Sequence, residues 1–266
     1  MDSTPKALQG KTALVTGSLA GIGHAMACGL AAAGCRIVLH GLDDEPAAQS
    51  VCAELAQRCG VDVSYVRADL SDVRAIESML TEIASRHGGV DVLVNNAVTR
   101  HFSPIESFPP EAWDQALAVN LSAAFHAIRL SLPGMRQRGW GRIFNMTSVY
   151  GDRGVANRID YVTTKTALIG MTRGVAVETL NTGITCNAIC PGSVLTPSID
   201  QRVQALMQEQ NLDRDAATRT FLAGKQPTGQ FVESSHVADL LVFLCGPAGR
   251  DITGATLPVE GGWLAS

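Results

Sequence analysis

Tyr161 and Lys165 stand four residues apart in Tyr161-Val162-Thr163-Thr164-Lys165, and on a helix that spacing sets a phenol and an ammonium on one face. A cation beside a phenol favours the phenolate and brings its pKa down from about 10, which makes the ring a proton donor or acceptor near neutral pH. Ser148 lies thirteen residues earlier, just past a strand-like run, where its hydroxyl can hydrogen-bond the oxygen of a carbonyl or an alcohol. Taken singly, these residues read equally well as a packed ring and a solvated charge. A second stretch, Thr16-Gly17-Ser18-Leu19-Ala20-Gly21-Ile22-Gly23, follows a strand pattern and opens a helix pattern. Its glycines let the backbone turn tightly and approach a pyrophosphate facing the helix N-terminus; a plain tight turn is the competing reading. Asp43 and Asp44, slightly past the second strand, are candidate ligands for a ribose 2′-hydroxyl. No Lys or Arg stands in the glycine loop or directly after the second strand to receive a 2′-phosphate, which favours NAD over NADP.

These residues need a scaffold that gathers strand ends and helix starts at one edge. Short β-branched or aliphatic runs alternate with longer amphipathic stretches, with no repeat and no Pro/Ser-rich linker, and that alternation predicts βαβ units. Candidate strands are 12–16, 36–40, 63–67, 92–95, 142–147, 184–189 and 255–259. Several are apolar almost throughout, as parallel strands covered on both faces are. Helical patterns run at 22–33, 46–58, 73–86, 110–138, 161–180 and 234–245. Residues 193–231 form a long polar insertion with helical segments at 201–210 and 214–222. Open parallel sheets bind ligands beyond the carboxyl ends of their strands, so an insertion there predicts a lid, with a solvated loop as the plainer alternative.

Composition bounds the partners. The chain has 266 residues, 46% hydrophobic and 17% charged, with 21 basic against 25 acidic side chains for a net charge of −4. This describes one soluble domain over 1–266, long enough to form a core without disulfides or a structural metal. No basic stripe or tail offers a nucleic-acid surface. No window approaches the roughly 18 to 20 apolar residues of a membrane span, and residues 1–9 lack a leader's apolar core. A cytoplasmic location is the expectation. Seven cysteines, with no CxxC pair and no His at metal-ligand spacing, predict reduced core thiols and no metal site. Cys186 and Cys190 read as part of a buried strand.

Combined, these features resemble the short-chain dehydrogenase/reductase family over residues 8–263. The family's TGxxxGIG stands as Thr16 to Gly23, its adenine-side Asp as Asp69-Leu70, and its NNAG as Asn95-Asn96-Ala97-Val98. Val98 replaces the last glycine of that motif, and a β-branched residue there restricts the backbone near the cofactor. Asn120 in Val119-Asn120-Leu121, Ser148, Tyr161 and Lys165 match the catalytic set, and Pro191-Gly192 with Thr196 matches the segment that closes over the nicotinamide. The resemblance implies a Rossmann-like, doubly wound, seven-stranded parallel α/β sheet, and a homotetramer. It implies NAD-linked hydride transfer with Tyr161 as acid/base, Lys165 lowering its pKa and holding the nicotinamide ribose, Ser148 orienting the reacting oxygen, and Asn120 supporting a water relay. Gly17, Leu19, Gly21, Ile22 and Gly23 would hold the pyrophosphate side. Leu42, Asp69, Leu70, Asn96 and Ala97 would line the adenosine side, and Pro191, Val194 and Thr196 the nicotinamide side, with Tyr161 and Lys165.

Within the family the chain is most similar to bacterial D-3-hydroxybutyrate dehydrogenases, through Leu121-Ser122-Ala123-Ala124-Phe125-His126, Asn187 to Gly192, Lys225-Gln226-Pro227 with Gln230-Phe231-Val232, and Gly261-Gly262-Trp263. Those relatives hold a small carboxylate with Gln, His and Lys; the corresponding positions here are Arg100, Tyr150, Arg158 and Arg202, beside Ser148 and Tyr161. Ser193 replaces a Trp and leaves more room. Guanidinium forks grip carboxylate, sulfonate or phosphate bidentately, and three around one monocarboxylate exceed what it neutralises. The substrate expected is a small anionic hydroxy or keto acid, larger or more anionic than 3-hydroxybutyrate. Alternatively, one or two of these arginines point to solvent or pair with Asp152, Asp160 or Asp200. His101 reads as a pocket or a loop residue and Trp263 as a lid or interface residue, while Phe102 and Phe108 have no assignment. Rival functions are a sugar or sugar-acid dehydrogenase or a 3-oxoacyl reductase of the same fold, or a nucleotide-binding regulator without turnover.

Overall fold

The runs of Val, Ile, Leu and Ala that alternate with amphipathic segments assemble into one parallel sheet in the computed structural model, which describes residues 6–266. The strands are β1 (Thr12–Val15), β2 (Arg36–Gly41), β3 (Val63–Arg67), β4 (Val92–Asn95), β5 (Gly141–Met146), β6 (Ile184–Pro191) and β7 (Thr256–Val259). Their order is β3-β2-β1-β4-β5-β6-β7, with every pairing parallel. The helices are α1 (Gly21–Ala32), α2 (Glu45–Cys59), α3 (Val73–His87), α4 (Pro110–Leu117), α5 (Ala123–Arg138), α6 (Ile159–Glu178), α7 (Pro197–Gln210), α8 (Arg214–Leu222) and α9 (Ser234–Cys245).

Strand periodicity divides the core. Ala13 and Val15 of β1 share one apolar cluster with Met26 and Leu30 of α1, Leu55 of α2 and Leu241 of α9. Leu14, between them, faces the opposite cluster with Ile76 of α3, Ile128 of α5 and Ala176 of α6. Side chains two apart thus feed one layer and the residue between feeds the other, which is why these strands are apolar at successive positions. The chain winds outward in both directions from β1 and β4, and the crevice at that reversal opens beyond their carboxyl ends.

Several sequence expectations are corrected. The single helix expected over 110–138 is broken into α4 and α5 by a π turn, Ala118–Ser122, centred on the buried Asn120. A π turn adds one residue to the hydrogen-bonded ring and is common where a helix carries a functional side chain. Helix α7 starts at Pro197, four residues before the expected start, because the Thr196 hydroxyl accepts from the Ile199 N–H and Pro197 suits a first turn. Of the seven free thiols, Cys35, Cys186, Cys190 and Cys245 are buried as expected, but Cys28, Cys52 and Cys59 are partly exposed on α1 and α2. Burial pushes the Cys35, Cys186 and Cys190 thiols up to about 12. Val98 fits without a positive φ; among described non-glycine residues only Asn157, Asn181 and Asn211 have one. No helix among the described residues is long and apolar enough to cross a membrane. Of residues 1–9, read as lacking an apolar leader core, 1–5 lie outside the described residues.

Phe144 on central β5 is fully buried in the α1 and α9 layer. Phe144→Ala is expected to cost about 3–5 kcal/mol in urea unfolding, against no more than about 0.5 kcal/mol for Val177→Ala on the exposed face of α6. Equal effects would mean that this layer is not the core.

Candidate active site

Strand β5 ends at Met146, and the chain turns at Ser148 into a short 3-10 turn, Val149–Gly151, that lies on α6. The Ser148 hydroxyl accepts from the Tyr150 N–H at 3.3 Å and so caps that turn. A Cβ on Gly151 would stand 3.1 Å from Ile169 Cδ1 and 3.2 Å from the Lys165 carbonyl oxygen, so the glycine permits the close approach. Helix α6 then brings Tyr161 and Lys165 under the strand end. Lys165 is buried and its Nζ donates to the Met146 carbonyl at 2.6 Å. Burial alone would push the Tyr161 phenol up, but the Lys165 ammonium, the Arg100 guanidinium, the Ser148 hydroxyl and the Arg158 guanidinium outweigh it, and the phenol titrates below its usual 10. Burial likewise drives the Lys165 ammonium below its ordinary value, opposed by the phenolate.

Asn120 packs behind this pair. Its Oδ1 accepts from the Thr99 N–H at 2.8 Å and its Nδ2 donates to the Thr99 carbonyl at 3.0 Å, which ties the π turn to the loop after β4. A cavity of about 10 Å³ bounded by Asn120, Lys165, Thr16 and Asn95 adjoins it. That is about the space one water molecule needs, and every one of those four lining residues carries a polar group.

The glycine loop faces the same edge. Gly17 and Gly21 have φ of +62° and +60°, and a Cβ on Gly23 would lie 2.3 Å from the Gly17 carbonyl oxygen and 2.6 Å from Asn96 Nδ2. Asn96 Nδ2 donates to the Thr16 and Gly17 carbonyls, and Gly17 packs against Ala97. Ala20 precedes α1 in an extended conformation with no side-chain cap, so the first-turn N–H groups face the cleft. This hollow of free amides, which side chains would fill, fits the diphosphate of a dinucleotide. Leu19 and Ile22 are half-buried beside it. Thr196, at the mouth of the insertion, reaches back to within 3.7 Å of where a Gly21 Cβ would sit, with buried Pro191 and Val194 behind it. Asp69 is exposed, and the Ser71 N–H and hydroxyl hold its carboxyl below the ordinary range; Leu70 is buried beside it.

Beyond β2, Leu42 is exposed and the Asp43 carboxylate turns back toward Gly41, 3.3 Å from where its Cβ would be. The register that sets Gly41 beside Arg67 also brings a guanidinium there: Arg67 Nε donates to the Leu42 carbonyl at 2.8 Å. Local sequence could not show this cation, because it comes from the neighbouring strand. His40, also unassigned from sequence, supports the loop from below. Its Nδ1 accepts from the Gly17 N–H at 3.1 Å, and its Nε2 lies 3.0 Å from the Ala68 carbonyl, so Nε2 carries the hydrogen. Burial drives its pKa below 6.5 and keeps the ring neutral.

Above Tyr161 opens a cavity of about 510 Å³. Arg100, Tyr150, Arg158 and Arg202 all line it with Ser148 and Tyr161, so the structure brings the six expected substrate residues together. Arg100 and Arg202 are exposed at its mouth and Arg158 is half-buried. Among the described residues none of the three forms an ion pair with an acid: Asp200 pairs with Arg214, while Asp160 accepts from the His101 N–H at 3.2 Å. Ser193 also lines the cavity. Sequence reasoning missed Lys225, Phe102 and Phe221, which also line it. Lys225 belongs to the Lys225-Gln226-Pro227 stretch that carries the family resemblance, but only the folding of α8 brings it to the cavity. Trp263 is buried, packs edge-on to Tyr150 at 5.4 Å and lines the cavity; His101 stays outside and packs on Phe108. The 193–231 insertion is joined to the body by a Val194–Val232 bridge and by Gln226, whose Oε1 accepts from the Ser193 N–H.

Comparison with known proteins accords with this geometry. Residues 11–206 match the family described as short chain dehydrogenase. The chain is 46% identical over 258 residues to a D-beta-hydroxybutyrate dehydrogenase of Cupriavidus necator, covering 97% of this chain and 99% of that one. It is 38% identical to a D-beta-hydroxybutyrate dehydrogenase of Rhizobium meliloti, covering 96% and 99%. Among solved structures, L-sorbose reductase from Gluconobacter frateurii, complexed with NADPH and L-sorbose, superposes with a TM-score of 0.93 at 29% identity, covering 99% of this chain and 100% of that one. The chain therefore belongs to the short-chain dehydrogenase/reductase family and is an NAD(P)-dependent oxidoreductase.

Proposed function

We propose that this enzyme uses NAD to oxidise a small anionic hydroxy acid, or reduces the corresponding keto acid, with a substrate related to 3-hydroxybutyrate but larger or more anionic. The observation that carries this reading is the cavity over Tyr161 and Ser148, which Arg100, Arg158 and Arg202 line without a protein carboxylate among its lining residues. The likeness to two D-beta-hydroxybutyrate dehydrogenases supports the substrate class. The Asp43 carboxylate over the end of β2 supports NAD, since it would accept from a ribose hydroxyl and repel a 2′-phosphate.

The residues divide the chemistry. Bound NAD supplies the hydride acceptor at its nicotinamide ring. Tyr161 takes the hydroxyl proton as the substrate carbon gives up its hydride, and returns it in the reverse direction. Lys165 favours the phenolate and would hold the nicotinamide ribose. Ser148 donates to the substrate oxygen, and Asn120 with Lys165 borders the space for a relay water. Gly17, Leu19, Gly21, Ile22 and Gly23 would bind the diphosphate, with Leu42, Asp69, Leu70, Asn96 and Ala97 at the adenosine and Pro191, Val194 and Thr196 at the nicotinamide. The sorbose reductase likeness favours a second reading, a sugar or sugar-acid reductase.

NAD-linked turnover with a panel of hydroxy acids and polyols separates the two, and faster turnover of polyols than of every acid would overturn the first. Tyr161→Phe is expected to lower kcat at least about 100-fold while NAD still binds in a fluorescence titration; retained turnover would remove Tyr161 from the proton step. Oxidation needs the phenolate, so kcat/KM rises with pH and levels off below pH 10. Arg100 favours that phenolate, so Arg100→Leu should move the rising limb to higher pH whatever it does to the plateau. A limb that stays in place would uncouple Arg100 from Tyr161.

A further inference from the structure

The cations of the substrate cavity are divided between two aromatic rings. Arg100 and Arg158 lie over Tyr161, with guanidinium carbons 5.3 and 4.3 Å from the ring centre. Arg158 also stacks on Phe102 at 4.9 Å and Tyr150 at 5.4 Å. Arg202 and Lys225 lie over Phe221, at 5.0 and 4.0 Å. Arg100 and Arg158 come from the loops that follow β4 and precede α6, beside the reacting hydroxyls. Arg202 and Lys225 come from α7 and the segment after α8, so the insertion carries the far pair.

All four line one cavity of about 510 Å³ whose lining includes no Asp or Glu. None takes part in any of the ion pairs among the described residues. Asp160, buried two residues after Arg158, is the nearest acid by sequence and its charge favours that guanidinium, but it forms no ion pair with it: one oxygen serves the His101 N–H and the other has no partner. Arg158 Nε is buried with no partner either. Burial and the neighbouring Arg202 and Arg158 charges lower the Lys225 ammonium, and burial and Arg100 lower Arg158 against the opposing pull of Tyr161, Tyr150 and Asp160. Like charges held this close repel, and a ligand anion relieves each pair. A single carboxylate carries one negative charge, so set between the pair at one ring it leaves the pair at the other uncompensated.

We infer that the substrate is a dianion: a hydroxy or keto acid with one carboxylate held by Arg100 and Arg158 beside the reacting carbon, and a second anionic group held by Arg202 and Lys225 against Phe221. This rests on the reading of the site as a hydroxy-acid dehydrogenase and names its substrate class. The far pair selects between substrates by charge, because a monoanion fills the reacting end and leaves two cations of the insertion facing an unoccupied space.

Two measurements on the whole enzyme test this. In steady-state oxidation with NAD, 3-hydroxyglutarate or 3-hydroxyadipate should exceed 3-hydroxybutyrate in kcat/KM by at least about tenfold, and Arg202→Leu or Lys225→Met should cut that ratio by at least about tenfold. A monoanion preferred over both dianions, or a ratio that survives both substitutions, overturns the inference. Calorimetric binding of unreactive glutarate or adipate against butyrate, with NAD present, does not depend on turnover. Tighter dianion binding that is lost in Lys225→Met, with no hydroxy acid turned over, would sustain the charge selection and overturn the proposed reaction instead. Equal binding of dianion and monoanion would overturn the inference even if hydroxy acids react.

Discussion

A buried ammonium beside a phenol is the constraint on which the rest of the site depends. Removing a charge from water is costly unless a partner compensates it, and Lys165, 3% exposed, donates to the Met146 carbonyl, its one acceptor among the described residues. That need fixes several residues at once. Strand β5 must stop where Met146 can present its carbonyl, and the next turn must lie close to α6, which the missing Cβ of Gly151 allows. Helix α6 must start early enough to place Tyr161 one turn before the lysine. The same strand end that compensates Lys165 leaves Ser148 two residues on, so the acceptor for the ammonium and the hydroxyl that adjusts the phenol belong to one short segment.

Charge is organised locally against the average of the chain. The protein carries a net charge of −4, yet the cavity over Tyr161 gathers four of its 21 basic residues and no acid among the residues that line it. Net charge speaks to long-range partners such as polyanions, while a site is decided over a few ångströms. The nearby acids do not enter this lining: Asp200 pairs with Arg214, and Asp160 gives one oxygen to the His101 N–H while lying within reach of the Arg158 charge.

The strands were legible because each is a short apolar run whose two faces are both covered, and their bounds shift by no more than two residues between expectation and structure. The site motifs were legible because each is local: a glycine loop between a strand and a helix, or a phenol and an ammonium one turn apart. What escaped was non-local or conformational. Ala118, Val119 and Leu121 continue the helical pattern around Asn120, so nothing in their types marks the π turn. Arg67 reaches Leu42 only through the β2–β3 register. Lys225 lies far along the chain from Arg158 and meets the cavity because α7 and α8 pack through Val203, Ala217 and Leu222. The half-exposed thiols of α1 and α2 sit where an amphipathic helix passes from core to solvent, a boundary that a seven-count of cysteines does not locate.

The two ends of the cleft hold charge by different means, and this accounts for where the basic residues are absent. At the glycine loop the available attraction comes from backbone N–H groups at the start of α1, whose dipoles favour an anion without a formal charge. Those amides point into the cleft only while the loop keeps its shape. That shape rests on hydrogen bonds from Asn96 and on a neutral His40, whose Nδ1 must be free of hydrogen to accept from Gly17. A protonated ring there would set two N–H groups against each other, and burial of His40 opposes that protonation. A loop built this way needs no Lys or Arg of its own. Formal cations are concentrated at the other end, two on loops of the sheet edge, Arg100 and Arg158, and two on the insertion, Arg202 and Lys225. A diphosphate suits a rigid backbone cradle, whereas long side chains brought from separate loops and from α7 can meet a ligand whose shape is not fixed by the loop.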